Sequence, residues 1–368
     1  MATSTWPSKW AIIYNPNSGR KLAKQMVMEE LVPSLQKIPK LNDNYEIYET
    51  KYAGNGTEIA CKKSKEGYGL IAVGGDGTIL EIILGQRQAG NEKLPMGIIA
   101  GGSLNYFAIC GSLPTPNELP GRIMDQKSCF YPTMEITFDN KDLKMESFEA
   151  IYVGRSAYIV SEIDRLRKDM PPPVALPKIV SELVENPSKA SFQGIVEMEL
   201  DDGTKLNLDG TNDYFWDIAI ICRNPFTGAQ GDDMWVSISK VSTMPSKERT
   251  LLRYKPPNEG YTGGWRCTDS QHCIKNIKII SKKNDKESNL VAISGEKHLF
   301  QNEIMIMKKD HMINIIGFNE KPKNVKKEYH RNDIPASENA LKELKRFYGD
   351  DVNPNDYGAI LSEGSSSL

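Results

Sequence analysis

The sequence has no run of about 20 apolar residues, the length a helix needs to cross a bilayer. It has no basic segment followed by an apolar one at its start, and neither end carries a clear lipidation signal. Neither a membrane span nor a secretory leader is therefore expected. Histidine is scarce: His272, His298, His311 and His330 stand at no metal-ligand spacing. Cys61, Cys110, Cys129, Cys222, Cys267 and Cys273 form no CxxC pair, so free thiols in a reducing cytoplasm are expected rather than a zinc site or a disulfide frame. An excess of charge is missing too. With 46 basic against 48 acidic residues, the net charge of −2 excludes a whole-protein footprint for nucleic acid and leaves room only for a local basic patch.

What remains is the composition of a globular protein, 39% hydrophobic and 26% charged, in a chain of 368 residues, long enough for two domains. Residues 1–126 alternate strand-like and helix-like signals. Trp10–Tyr14, Tyr45–Thr50, Leu70–Val73 and Met96–Ala100 read as strands, the first stopped by Asn15-Pro16. Lys21–Ile38, Thr57–Lys65 and Ile79–Gly85 have helical spacing. That alternation predicts a three-layer α/β domain around a parallel sheet, with its site at the carboxyl ends of the strands.

Over residues 127–320 the texture changes to short strand-like runs: Met134–Phe138, Gly194–Leu200, Trp216–Ile221, Ile274–Ile280, Leu290–Ile293, Glu303–Met307 and Met312–Ile316. An antiparallel β-sandwich is the expected form, with Pro171-Pro172-Pro173 breaking a helix over Ser161–Lys168. Residues 321–368 form a polar C-terminal tail. Its run Lys321–Lys327 suits a solvated linker or an anionic membrane surface, and Ser337 caps a short amphipathic helix carrying Leu341, Leu344 and Phe347.

The richest local feature is Val73-Gly74-Gly75-Asp76-Gly77-Thr78, between a strand and a helix. Glycines let the backbone approach a phosphate with no Cβ in the way, and a helix N-terminus favours an anion. Asp76 adds a carboxylate that could act as a base or hold a divalent cation. Alone, such a turn is equally a tight hairpin. Two companions favour phosphate: Asn15-Pro16-Asn17-Ser18-Gly19-Arg20 follows the first strand, and Ala100-Gly101-Gly102-Ser103-Leu104-Asn105 follows the fourth. In a parallel sheet these loops converge. Neither a GxxxxGK[ST] loop nor a GxGxxG dinucleotide fingerprint is present. Asp232-Asp233 reads as an exposed turn rather than a metal site.

Asn15-Pro16-x-Ser18-Gly19, then Gly74–Thr78 with Glu81, then Gly102–Ala108, together resemble the diacylglycerol kinase catalytic superfamily, which includes sphingosine and ceramide kinases. Ser161-Glu162-Ile163-Asp164-Arg165 is similar to a Ser-Glu-x-x-Arg stretch of the latter two, and Ser294-Gly295-Glu296 to the family's Asp-Gly-Glu. The likeness spans about residues 8 to 318, strongest in the first third. It implies an ATP-dependent lipid kinase using ATP and Mg2+, cytoplasmic and visiting a membrane surface, with a catalytic ATP-binding domain at 1–126 and a lipid-binding domain at 127–320.

By the same resemblance, Asn15, Pro16 and Asn17 line the adenine and ribose side of the ATP site, with Thr50 close by, and Ser18 and Gly19 belong to the same cofactor-binding set. Gly75, Asp76 and Gly77 face the phosphates, with Gly74 and Thr78 in the same cofactor-binding set; Asp76 deprotonates the lipid hydroxyl, and Glu81 supports the nucleotide site. Gly102, Ser103 and Asn105 shape the third loop. Arg165 neutralises the triphosphate, while Ser294, Gly295 and Glu296 return to the cleft from the C-terminal domain. A sphingoid base is the first acceptor implied, with diacylglycerol or ceramide as alternatives.

There are departures. Tyr158 stands where sphingosine kinases carry a head-group aspartate, Ser156 matches an earlier aspartate, and Ser294 replaces the acid of Asp-Gly-Glu. The chain is also shortened between Arg253 and Cys273. Tyr158, the implied substrate position, cannot pair with an amine as a carboxylate can. Two further readings follow: a catalytically weak lipid- or nucleotide-binding homologue, and a soluble-metabolite kinase such as an NAD kinase, which shares the GGDG turn.

Overall fold

All five residues of β1 (Trp10–Tyr14) are buried, as in a central strand covered on both faces. Trp10, Ile12 and Tyr14 enter one core, and Ala11 and Ile13 another. β2 (Tyr45–Glu49) and β3 (Gly69–Gly74) flank β1 in parallel, and β4 (Met96–Ala100) continues the sheet beyond β3. The order β4-β3-β1-β2 is the parallel sheet expected from the sequence. The computed structural model describes residues 6–18, 21–102, 107, 111–139, 144–166, 172–222, 234–243, 269–282 and 289–320. Within these, no helix is long and apolar enough to cross a membrane, and Cys61, Cys129, Cys222 and Cys273 are free thiols.

One face of the sheet is covered by α1 (Ala23–Gln25), α2 (Val32–Gln36) and, later in the chain, the helix opened by Leu119; Val27, Leu31, Leu35, Leu119 and Ile123 pack on Ile12, Ile71, Val73 and Ile99. The other face carries α3 (Asn55–Lys65) and α4 (Asp76–Gln88), whose Ala60, Ile79, Ile82 and Ile83 pack on Ala11, Ile13, Leu70, Ala72 and Ile98. Helical spacing predicts one helix over Lys21–Ile38. Instead a wider π turn, Met26–Leu31, separates α1 from α2. It lies just before Pro33, which has no N–H to continue the regular ladder.

After β4 come β5 (Gly111–Ser112), α5 (Leu119–Asp125), β6 (Ser128–Phe138), β7 (Lys144–Ser147) and β8 (Ile151–Gly154). Two helices follow, α6 (Arg155–Leu166) and α7 (Pro172–Glu185). The remaining strands are β9 (Gly194–Leu200), β10 (Lys205–Asp209), β11 (Phe215–Cys222), β12 (Met234–Lys240), β13 (Ser270–Ser281), β14 (Leu290–Ile293), β15 (Glu296–Leu299), β16 (Glu303–Ile316) and β17 (Asn319–Glu320).

β13 joins two antiparallel sheets. Its first half pairs with β12, extending β15-β14-β8-β11-β12, and its second half sits between β9 and β16. Side chains from both sheets, among them Ile136, Val153, Val196, Ile220, Val236, Ile277 and Ile304, fill one core. This is the sandwich expected from the sequence. β16 then reaches the α/β sheet, where Ile315 pairs in parallel with Met96.

Two local expectations are corrected. Glu303–Met307 and Met312–Ile316, which read as separate strands, are one strand whose register against β6 shifts between Lys309 and Met312. The helix before the prolines begins at Arg155, not Ser161. Beyond the break at the prolines Pro172 opens a second helix, α7, which the sequence did not announce, because its fixed φ suits a first helical position. Asp232-Asp233 and the tail 321–368 lie outside the described residues.

Candidate active site

The parallel strands end in step: Tyr14 pairs with Val73 and Glu49, and Gly74 with Ala100. The loops after them therefore leave the sheet along one edge. Asn15 N–H donates to the Val73 carbonyl at 3.2 Å, Thr50 N–H to the Tyr14 carbonyl at 2.9 Å, and Gly101 N–H to the Gly74 carbonyl at 2.7 Å. Side chains tighten the joint. Asn15 Nδ2 donates to Thr78 Oγ1 at 3.3 Å, and Ser18 Oγ lies 3.3 Å from the same hydroxyl while accepting the Gly75 N–H at 3.2 Å. Asn15 Oδ1 also accepts the Asn17 N–H at 2.9 Å, which turns the loop back over Pro16.

Gly75 is the extended residue before α4, and a Cβ there would stand 3.2 Å from Gly102 Cα. A side chain at position 75 would therefore press on the third loop, which would have to give by a few tenths of an ångström. Gly77 faces open space, since an added Cβ would meet nothing within 4 Å. Asp76 is the first residue of α4 and half-buried. The structure brings Asn15, Pro16, Asn17, Ser18, Gly74, Gly75, Asp76, Thr78 and Gly102 together; Gly19, Ser103 and Asn105 lie outside the described residues. Glu81, one turn along α4, is occupied by backbone: its carboxylate accepts Gly54 N–H at 2.8 Å and Gly56 N–H at 2.9 Å. It thereby fixes the segment after Thr50 to α4.

Ser294 and Gly295, with φ of 51° and 75°, form the two-residue turn between β14 and β15, and Glu296 is the exposed residue that follows. Ser294 Oγ meets Ser147 Oγ at 2.9 Å. Two residues beyond Ser147 is Glu149, which no sequence motif marks. It is buried, and burial, then the negative charges of Asp76 and Glu296, push its carboxyl well above the ordinary glutamate range. Acids from two other parts of the chain, Asp76 and Glu296, thus act on Glu149.

Arg165 lies exposed in the last turn of α6 and grips Glu162 at 2.6 Å. Tyr158, earlier in α6, is half-buried with Lys189 Nζ 5.4 Å from its ring centre. Ser156 Oγ donates to Asp217 Oδ2 at 2.7 Å, and Arg155 Nη2 reaches the same oxygen at 2.8 Å.

Residues 9–128 match the diacylglycerol kinase catalytic domain family. The match is confined to the N-terminal α/β part of the chain. Among known relatives, a diacylglycerol kinase of Staphylococcus saprophyticus is 37% identical over 105 residues, 28% of this chain and 33% of the relative. One of Staphylococcus aureus strain JH9 is 36% identical over 113 residues, 30% of this chain and 34% of the relative. The chain spans about a third of the length of these curated relatives. The fold is shared more widely: a diacylglycerol kinase crystal structure from Bacillus anthracis superposes with a TM-score of 0.57 at 16% identity, covering 85% of this chain and 98% of that one. The matched stretch holds the glycine turn and Asp76, whereas Glu149, Ser294 and Glu296 lie outside it.

Proposed function

We propose that this protein is an ATP-dependent lipid kinase, moving the γ-phosphoryl group of ATP to a lipid hydroxyl. The observation that carries the reading is the glycine turn Gly74–Thr78, pinned between the first and third loops with Asp76 opening α4. Phosphoryl transfer asks a protein mainly for positioning and charge neutralisation. The bare Gly75 and Gly77 backbone gives phosphate oxygens access, and the N-terminal end of α4 favours their charge. Asp76 accepts the proton of the acceptor hydroxyl as that oxygen bonds to the γ-phosphorus and ADP departs. Asn15–Ser18 and Thr50 hold the nucleoside side, and Glu81 fixes their neighbour loop. In this reading residues 1–126 bind nucleotide and 127–320 the lipid, at a membrane surface.

Among the described residues no three His, Cys, Asp or Glu side chains are placed to hold a metal ion by themselves. Mg2+ takes roughly one or two carboxylates and completes its shell with phosphate oxygens and water, so in this reading it would arrive with ATP. Bound with ATP, it would offset phosphate charge.

For the acceptor, one observation favours an uncharged head, as in diacylglycerol, over a sphingoid base. The Lys189 ammonium stands over Tyr158, and the carboxylate that meets Ser156, Asp217, is already paired with Arg155. An amine head group would have to compete for carboxylates already held, Glu182 by Lys189 and Asp217 by Arg155.

The test is transfer of radiolabel from ATP to sphingosine, ceramide, diacylglycerol and monoacylglycerol in detergent micelles, and to NAD without lipid, with Asp76→Asn alongside. One labelled lipid, reduced about 100-fold or more by the variant, is expected. Bound ATP with no label in any lipid would leave a binding protein, and label on NAD alone a soluble-metabolite kinase.

A further inference from the structure

Glu149 sits in the link between β7 and β8, 6% exposed, and its Oε1 is sealed from solvent with no hydrogen-bond partner. Its position is fixed from several sides. Its N–H donates to Ser147 Oγ at 3.0 Å, and that hydroxyl touches Ser294 Oγ in the β14–β15 turn. Phe148 stacks on Phe107 of the third loop at 4.4 Å, and Ala150 shares a core with Ile79, Ile82 and Ile83 of α4. Glu149 is therefore held where the third loop, α4 and the β14–β15 turn meet.

The charged groups acting on Glu149 are Asp76 from α4 and Glu296 from the start of β15, both acidic. Ser147 and Ser294 are neutral. Arg87, farther along α4, is bound by Glu146, and the Tyr131 hydroxyl of β6 donates to the Cys222 carbonyl. Nothing cationic among these offsets a third negative charge. When carboxyls crowd together, the one deprived of water keeps the proton.

We propose that Glu149 is a positioning residue of the phosphoryl-transfer site: it carries a proton in the resting protein and, as a neutral acid, leaves Asp76 as the ionised carboxylate that receives the acceptor's proton. This rests on the kinase reading above. In the transfer step the acceptor O–H bond breaks, its proton passes to Asp76, the oxygen bonds to the γ-phosphorus and the bond to ADP breaks. Glu149 keeps its own proton throughout.

The test is infrared spectroscopy of the full chain, in which a protonated carboxylic acid has a carbonyl band separate from those of carboxylates. A band is expected near neutral pH that vanishes in Glu149→Gln. In Asp76→Asn a like charge is gone, so Glu149 should hold its proton roughly tenfold less tightly and the band should disappear at lower pH. Absence of a Glu149 band near neutral pH, or a titration indifferent to Asp76→Asn, overturns the proposal. These readouts need no substrate, so a well-behaved band with no lipid labelled would convict the kinase reading instead. In an active enzyme, Glu149→Gln should keep the KM for ATP within about twofold and remove an alkaline decline in kcat/KM. An alkaline limb identical in both proteins would also overturn the positioning role.

Discussion

Glu81 Oε2 lies 2.9 Å from the backbone nitrogen of Gly56, and a Cβ at position 56 would fall 2.6 Å from the same oxygen. With Gly54 N–H on its other oxygen, this one carboxylate closes the start of α3 onto α4. Glutamine offers a single acceptor, and its amide would face an N–H. Glu81→Gln should cost about 1–3 kcal/mol of stability. Because the fixed segment follows Thr50, the KM for ATP should rise more than kcat falls. Urea denaturation and steady-state kinetics check both; unchanged stability would mean these bonds are replaced by water.

Gly75→Ala separates closeness from backbone freedom. Its φ of −87° is open to alanine, so the fold should lose no more than about 1 kcal/mol. The new methyl would press on Gly102 at 3.2 Å and displace the third loop. Calorimetric titration should show ATP binding weakened at least tenfold, by the order of 1.4 kcal/mol. Normal ATP affinity would put the nucleotide elsewhere than this turn.

The sheet edge was legible because it rests on local signals: apolar runs such as Trp10–Tyr14 and Leu70–Val73, each followed by a glycine-bearing loop. The sandwich was legible as a class from its short alternating strands, but β7, β8, β10, β12 and β15 carry too few residues or too little contrast to mark themselves. Polar Lys308–His311 hid the continuity of β16, which its pairing with β6 restores across a bulge. The partners of Glu81 lie 25 and 27 residues away, and Ser294 is 147 residues from Ser147. Glu149, between Phe148 and Ala150, follows no period. Its role comes from three distant segments meeting, which spacing along the chain cannot express.

Arg87 ties the helix that carries Asp76 to the β-rich half. Its Nη2 lies 2.6 Å from Glu146 Oε1, which Thr133 Oγ1 also approaches, and both charged side chains are largely buried. Removing one partner strands the other charge out of water. Arg87→Met should therefore destabilise by about 3–5 kcal/mol, while Arg87→Met with Glu146→Leu should recover much of that loss. A double-mutant cycle in urea reads the coupling; equal losses in the single and double variants would show that the pair does not act as a unit.

Glu149 should leave its mark on stability as well as on catalysis. Its carboxyl is raised in the folded state above the ordinary glutamate value of 4.5. Well below that value both folded and unfolded chains hold the proton, and the residue contributes no pH dependence. As pH rises, the unfolded chain releases the proton first. The folded chain then binds more protons than the unfolded one, so stability falls with pH until Glu149 ionises in the fold as well. Glu149→Gln cannot titrate and escapes this loss, which is about 1.4 kcal/mol for each pH unit separating the two states. The Tm of the variant should therefore gain on the wild type between pH 4 and pH 8, by on the order of several degrees. Thermal denaturation across that range decides the matter: a constant difference would mean that Glu149 is ionised in the fold, with its charge offset by a group other than those that face it.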